Sequence, residues 1–373
     1  LSQIEIDGSV QDWPDGITHQ EDKQFIYELI ELPSDSCLQQ LPKQQVIQLG
    51  QYTVIFSPKG KGYGVSCKKG SEWISPYEAG IVFAPTTAST KFELRVNKPN
   101  THVPPKPLGF KPKGDFRVVS WNVEFGNLLK DKKRGARILK ALQPDILLLQ
   151  ELEGDDYRTL PTFLSKTLKG SWTVGASQLH GTEKSQQLRS SVATWLNATI
   201  VSGIGNTPEH KQKAVYLEIS FEEELLSFVS LHLRCCGGPT GEAEEQRQLE
   251  ATNIRRALDN IKRKRLVIAG DWNLVGTTKP LEIIMANKLA IVDAFQPDKR
   301  LNATWSDTTS SFTPGRLDWM LYSPETLKVV NCFVLDTADL DQKTLNETNL
   351  NSEDTAKLSD HLPLVADFVL ITK

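Results

Sequence analysis

Five short segments in the last two thirds of the chain place polar side chains where apolar runs end. They are Trp121-Asn122, Gln150-Glu151, His232, Asp271-Trp272-Asn273 and Ser359-Asp360-His361, with Arg316-Leu317-Asp318 as a sixth. A carboxylate or imidazole at the end of a hydrophobic strand costs stability unless it finds a partner. Six such endings predict that these groups meet, and that their meeting serves chemistry. Hydrolysis of a phosphate ester needs a Lewis acid, a directed water, stabilisation of developing charge and a proton for the leaving oxygen. The six segments hold candidates for each task. Glu151, helped by Asn122 and Asp360, offers hard oxygen donors that suit Mg2+ or Mn2+ rather than Zn2+, because no cysteine and few histidines accompany them. Asp318 and His361 can form a carboxylate–imidazole pair in which the acid fixes the tautomer and raises the basicity of the ring.

The flanking residues supply the elements that must hold these groups. Phe116 to Trp121 has the pattern of a short strand, and Asp145 to Gln150 is a continuous apolar run of the kind found when both faces of a strand are covered. Leu226 to Leu233 carries His232 near its end, Leu266 to Ala269 delivers Gly270-Asp271-Trp272-Asn273, Leu317 to Tyr322 contains Asp318, and His361 precedes a closing strand over Leu364 to Leu370. Helical spacing occupies Lys133 to Leu142, Tyr157 to Leu168 and Glu244 to Ile261. Ala214 to Phe221 and Leu225 to Leu233, joined by a short acidic turn, predict an antiparallel hairpin. Two stacked mixed sheets with outer helices, a four-layer α/β/β/α sandwich, fit this order better than one doubly wound parallel sheet.

At 373 residues the chain is long enough for two domains. Residues 97–115 hold Pro99, Pro104, Pro105, Pro107 and Pro112 with several lysines, the composition of an extended spacer. The boundary is placed there, giving an accessory domain over 1–96 and a catalytic domain over 116–373. Before the spacer, Gln24 to Leu32, Gln45 to Phe56, Gly80 to Ala84 and Lys91 to Val96 read as strands between Gly, Pro and Ser turns, which predicts a smaller all-β sandwich. The formal net charge of −3 exerts no global pull toward nucleic acid or anionic membrane. No stretch approaches the roughly 20 apolar residues of a membrane-spanning helix. Five cysteines, Cys37, Cys67, Cys235, Cys236 and Cys332, form neither a zinc pattern nor a disulfide framework, and the adjacent Cys235 and Cys236 are read as loop thiols, with closure of a strained ring or redox sensing as the alternative. The chain begins at Leu1, which is read as a removed leader or a trimmed start. With sequons at Asn197, Asn302 and Asn346, it gives an expectation of a periplasmic or secreted location.

Taken together and in this order, the six segments resemble the endonuclease/exonuclease/phosphatase superfamily, the fold of pancreatic-type deoxyribonuclease, abasic-site endonucleases, inositol polyphosphate 5-phosphatases and bacterial sphingomyelinases. The resemblance covers residues 116–373. It implies that Glu151 is the principal metal ligand and that Asn122 supports metal and phosphate. It further implies that Asp271 activates water or stabilises charge, that Asn273 binds the phosphate, and that His361, oriented by Asp318, acts at the scissile phosphate. Asp360 would touch the metal. His232 matches the histidine that the deoxyribonuclease and sphingomyelinase branches use near the leaving group, where abasic-site endonucleases use a tyrosine. The opening Ile6-Asp7-Gly8 with Asp12-Trp13-Pro14 resembles carbohydrate-binding family nine sandwich modules, which would make Trp13, Tyr63, Trp73 and Tyr77 a glycan platform; core packing of the same aromatics is the alternative.

The expected activity is therefore a divalent-metal-dependent phosphodiesterase, nuclease-like, with phosphoester and nucleic-acid substrates in view. A phosphomonoesterase on sugar or inositol phosphates, a lipid phosphodiesterase and a catalytically silent scaffold are the alternatives. The basic run Lys130 to Arg134 would line a nucleic-acid cleft or form a solvated helix start. Glu124 is either a further metal contact or a loop acid, and Arg316 either a phosphate contact or a surface residue. Arg247 is expected to tie a loop by salt bridge. His180 and His210 are assigned no role. Trp121 and Trp272 are expected in the core, and Asp336 to Lys357 is read as a disordered insertion or a flap over the site.

Overall fold

The computed structural model describes residues 4, 6, 10–33, 38, 41, 43–59, 62–84, 90–99, 108–154, 156–177, 179–182, 185–202, 204, 213–221, 224–237, 241–261, 264–275, 277–286, 288–297, 301–310 and 312–371. His210, the Asp7-Gly8 part of the opening motif and residues 100–107 of the proline-rich spacer lie outside these residues, as does the side chain of His180.

Two antiparallel sheets form the N-terminal part. One runs in the order His19–Glu21, Phe25–Glu31, Lys91–Asn97, Val82–Ala84, and the other in the order Gln45–Leu49, Tyr52–Lys59, Gly62–Lys69, Glu72–Ile74. Val54, Phe56, Phe83, Phe92 and Leu94 share one core between them. The single run expected over Gln45 to Phe56 is a hairpin instead, because Gly50 at φ 58° turns the chain where a side chain would be strained. Trp13 and Tyr63 are buried while Trp73 is exposed, so the four aromatics expected as a glycan platform do not share a surface.

The larger part is built on two mixed sheets. The first orders Thr173–Ala176, Ser185–Thr194, Ile146–Glu153, Phe116–Asn122, Leu364–Leu370 and Leu327–Val334, with Leu179–Thr182 paired beside the second strand of that order. The other orders Ala198–Ser202, Ala214–Phe221, Glu224–His232, Leu266–Asp271, Asp318–Tyr322 and Ala290–Ile291. Phe116–Asn122 runs parallel to Ile146–Glu153, and Glu224–His232 runs parallel to Leu266–Asp271. Val118, Leu148, Phe228, Val267, Met320 and Phe368 fill the space between the sheets. Leu147 and Leu149 point the other way, onto Ile138, Leu139, Leu160 and Leu164 of the helices Lys132–Leu142 and Asp156–Thr167. That two-sided burial accounts for the unbroken apolar run before Glu151. Helices Glu242–Ile261 and Lys279–Met285 cover the second sheet through Ala251, Ile254, Leu281 and Ile284, completing the four layers.

Behind the first sheet, Arg117 and Asp367 form a fully buried ion pair. The guanidinium also donates to the carbonyls of Gly109, Phe110 and Leu142, and Asp367 accepts from Lys113 N and Asn331 Nδ2. The last part of the proline-rich stretch is thus tied into the catalytic core rather than left as a free spacer. Residues 336–357 are neither a disordered insertion nor a flap. They form the helices Gln342–Thr348 and Asp354–Leu358, whose segment buries Leu340, Leu345, Leu350 and Leu358 in the same outer layer as Leu142. Arg137 reaches Asp354 at 2.5 Å and locks the segment to the helix Lys132–Leu142.

Candidate active site

Strand register brings the polar endings to one edge of the two sheets. Asn122 pairs with Gln150, His232 with Asp271, and Asp271 with Asp318, so each segment runs out of strand at the same level. Gly270 makes the approach possible: its φ is 151°, and a Cβ there would stand 1.9 Å from the Leu231 carbonyl oxygen. Glu151 at φ 60° and Asn273 at φ 49° are held in the left-handed region, which costs about 1–3 kcal/mol each and is characteristic of functional positions.

Asp271 is the hub. Its Oδ2 accepts from Asn122 Nδ2 at 3.1 Å, and its Oδ1 accepts from the Asn273 backbone N–H at 3.0 Å. His232 Nε2 stands 3.4 Å and His361 Nε2 3.8 Å from the same Asp271 Oδ2. His361 Nδ1 lies 2.7 Å from Asp318 Oδ2, and Asp318 is in turn oriented by its own N–H donating to Thr304 Oγ1 at 2.8 Å. Glu151 Oε1 is 3.8 Å from His232 Nε2. Ser359 ties the first and last segments together, donating to the Asn122 carbonyl at 2.8 Å and accepting from His361 N at 3.0 Å. Asn273 Nδ2 donates to the Leu233 carbonyl at 3.3 Å, which aims its side chain back along the His232 strand.

Burial and the surrounding charges set the protonation states. Burial pushes Asp271 up to about 7, with Asp318 and Glu151 adding to the effect against His361. Burial alone would lower His361, but the carboxylates of Asp318 and Asp271 outweigh it and raise the imidazole to about 10. His232 is driven well below its ordinary value by burial and by the positive Lys213 and Arg189, so it is a neutral ring at physiological pH. The site therefore holds one imidazolium, one neutral imidazole and a carboxylate that exchanges its proton near neutrality.

A divalent cation fits the acidic side of this arrangement. Burial raises Glu124, and the neighbouring carboxylates of Asp360 and Glu151 raise it further, against the backbone hydrogen bond from Asp360 and the charge of His361, so negative charge accumulates there. Glu124 N–H donates to Asn122 Oδ1 at 3.1 Å, and Asp360 N–H donates to Glu124 Oε2 at 3.2 Å, which draws the Asn122, Glu124 and Asp360 segments together. By proximity of ligand atoms alone, two other groupings arise among the described residues: Glu151 with His232 and Asp271, and Asp271 with Asp318 and His361. The second is occupied by the Asp318–His361 ion pair, and a protonated ring ligates no metal. Glu151 belongs to both the oxygen set and the first grouping.

Of the residues assigned from the sequence, Asn122, Glu151, His232, Asp271, Asn273, Asp318, Asp360 and His361 all lie at this edge. Trp121 and Trp272 are fully buried, donating to the carbonyls of His361 and Trp319. Arg316 stacks 3.8 Å over the Trp319 ring and donates to the Val292 carbonyl. Arg247 pairs with Glu244 inside the protein and also holds the Arg234 and Cys236 carbonyls. Cys235 and Cys236, read as free thiols, are joined by a disulfide in that same loop. The basic run is engaged at its ends, Lys130 with Glu153 and Arg134 with Asp131 and Asp354, and from Lys132 it opens the helix Lys132–Leu142. Sequence reasoning passes over Arg189, Thr304 and Trp305, and gives the basic run Lys211 to Lys213 no role. Arg189 falls opposite Glu151 in a register that pairs Gln150 with Ser190 and Leu152 with Leu188, and the Lys213 carbonyl accepts from His232 N at 3.0 Å. Their signal is sheet register, which no local pattern reveals.

Residues 119–361 match the Endonuclease/Exonuclease/phosphatase family. No curated protein matches the chain. An endonuclease/exonuclease/phosphatase from Bacteroides vulgatus is similar in structure at TM-score 0.50 and 17% identity, over 69% of this chain and 100% of that one. The human Nocturnin catalytic domain is 23% identical over 69% of this chain and 93% of its own, at TM-score 0.47. A mannosyl-6-phosphatase from Bacteroides thetaiotaomicron is 18% identical over 68% of this chain and 100% of its own, also at TM-score 0.47. No helix among the described residues is long and apolar enough to cross a membrane.

Proposed function

The chain belongs to the endonuclease/exonuclease/phosphatase family and is a phosphoester hydrolase, and on that premise we propose that it is a Mg2+- or Mn2+-dependent phosphodiesterase. The observation that carries the diester reading is His232, a neutral buried imidazole 3.4 Å from Asp271. His232 matches the histidine that the deoxyribonuclease and sphingomyelinase branches, which cleave diesters, use near the leaving alcohol; that alcohol oxygen gains charge as the P–O bond breaks, and a neutral ring N–H supplies a hydrogen bond to it.

Glu151, Glu124 and Asp360, with the Asn122 amide oxygen, would hold the cation, which supplies Lewis-acid stabilisation of the phosphoryl oxygens when bound. The chain's own residues do the rest. Asp271, held through both oxygens by Asn122 and Asn273 and raised to about 7, takes the proton of an attacking water. The His361 imidazolium, braced by Asp318, faces the charge that develops on phosphorus-bound oxygen. The Asn273 side chain positions the phosphate.

A second reading has an observation of its own. Lys213 and Arg189 place two positive charges close enough to His232 to hold it neutral, and a monoester dianion draws more from such charges than a singly charged diester does. Initial rates with bis(p-nitrophenyl) phosphate and p-nitrophenyl phosphate, measured side by side in Mg2+ and in Mn2+, decide between them. Faster cleavage of the diester supports the phosphodiesterase; preferential cleavage of the monoester replaces it with a phosphomonoesterase on soluble phosphorylated substrates.

A further inference from the structure

The N-terminal β domain touches the catalytic domain at a loop that ends beside the cation-side carboxylate. Tyr77 of the N-terminal domain donates its hydroxyl to the Phe312 carbonyl at 3.0 Å and accepts from the Asp307 N–H at 3.2 Å. The Phe312 ring meets the buried Tyr63 ring edge to face at 5.7 Å. The tip of the loop is therefore clamped from the other domain by two hydrogen bonds and an aromatic contact. Burial pushes the Tyr77 phenol up to about 12, so it stays a donor across the physiological range.

The base of the same loop is welded to the site. Trp305 and Gly315 exchange backbone hydrogen bonds of 2.9 and 3.1 Å, Ser306 N donates to the Asp360 carbonyl at 2.8 Å, and Leu362 N donates to the Thr304 carbonyl at 2.6 Å. The Trp305 indole Nε1 donates to Asp360 Oδ2 at 2.8 Å. One carboxylate oxygen is fixed by that bond, and the direction of the other follows from it. Between tip and base lies Asp307-Thr308-Thr309-Ser310, a stretch with no apolar residue of its own to bury. Its own hydrogen bonds, from Thr309 N–H and Oγ1 to Asp307 Oδ1 and from Ser310 N–H to the Asp307 carbonyl, shape the turn, and the contacts with Tyr77 and Tyr63 set where that turn sits.

We propose that the N-terminal domain positions Asp360 for the divalent cation, acting through Tyr77, the loop 304–316 and Trp305. This rests on the metal reading above and gives the accessory domain a role inside the reaction instead of a separate binding surface. Trp305 and Tyr77 are positioning residues: neither touches the reacting atoms. Groups that orient a metal ligand are worth about 10–100-fold in metal affinity.

The test is calorimetric titration of the full chain with Mn2+ and with Mg2+, comparing the unaltered protein with Trp305→Phe, Tyr77→Phe and Glu151→Ala. Trp305→Phe keeps the ring packing and removes the donor; it should bind about tenfold more weakly. Tyr77→Phe removes one hydroxyl in the other domain and should weaken binding about threefold. Unchanged affinity in Trp305→Phe overturns the role of the indole, and unchanged affinity in Tyr77→Phe overturns the role of the domain. Should Trp305→Phe fail to fold, Tyr77→Phe decides the matter. If Glu151→Ala loses binding while both positioning variants match the unaltered chain, the metal reading stands and this inference falls. If the unaltered chain binds neither cation, both fall.

Discussion

His361 and Asp318 face each other at 2.7 Å, with Asp318 fully buried and its backbone anchored on Thr304. The acid has no water to turn to, so the imidazolium is both its charge partner and its hydrogen-bond partner. Asp318→Asn keeps the shape but removes the charge that holds the ring protonated. Hydrolysis should fall on the order of 10²–10⁴-fold in kcat, with a smaller change in KM, as steady-state kinetics would show. A loss confined to KM would mean that the pair binds substrate without acting on it.

The same pair makes stability depend on pH. His361 is raised from an unfolded value of about 6.5 to about 10 by Asp318 and Asp271 against the effect of burial. A group with a raised folded pKa contributes stability that is complete below the unfolded pKa and is lost as pH climbs through the folded one. In metal-free protein, the stability gap between the unaltered chain and Asp318→Asn should be widest near pH 6 and close toward pH 10. Denaturant midpoints across that range measure it; a gap that widens with pH contradicts the assignment.

Gly270 stands where two parallel strands must come close enough to bring His232 beside Asp271. Gly270→Ala sets a methyl against the Leu231 carbonyl, in a backbone conformation that side chains avoid. The variant should lose about 3 kcal/mol or more, seen as a lowered denaturant midpoint, and should lose activity with it. A variant of ordinary stability would show that the strands can spread without harm.

Arg117 and Asp367 test the back of the other sheet, on the strands Phe116–Asn122 and Leu364–Leu370. Every donor and acceptor of the pair is used, so removing one partner strands a buried charge. Arg117→Met should cost about 3–5 kcal/mol. The double variant Arg117→Met with Asp367→Leu should recover part of that loss, and thermal melts of the three proteins would show whether it does.

Much of this site was legible because each of its residues ends an apolar run. Leu147 to Leu149 predicts a strand covered on both faces, and Glu151 is then placed by chain order alone. What escaped was decided between segments. The leucines at 340, 345 and 350 have a spacing of five, which matches neither helix nor strand, so the acidic residues around them dominated the reading; they are buried because a capped turn separates each from the next. Gln45 to Phe56 looked like one strand because Gly50 and Gln51 were weighed as part of its pattern rather than as its turn. Cys235 and Cys236 offer adjacency alone, which fits two free thiols as well as a bonded pair, and their bond belongs to a loop held by Arg247. Trp305 gains its meaning only through a contact with Asp360, 55 residues further along the chain.

The central claim is metal-dependent phosphoester hydrolysis from the edge where Glu151, Asp271 and His361 meet. The most direct test follows p-nitrophenol release from bis(p-nitrophenyl) phosphate and p-nitrophenyl phosphate by unaltered protein, by protein stripped with chelator and then resupplied with Mg2+ or Mn2+, and by Glu151→Ala. The account predicts turnover that chelation abolishes, that either cation restores, and that Glu151→Ala lacks by at least about 10²-fold. Turnover that survives both chelation and Glu151→Ala would contradict it.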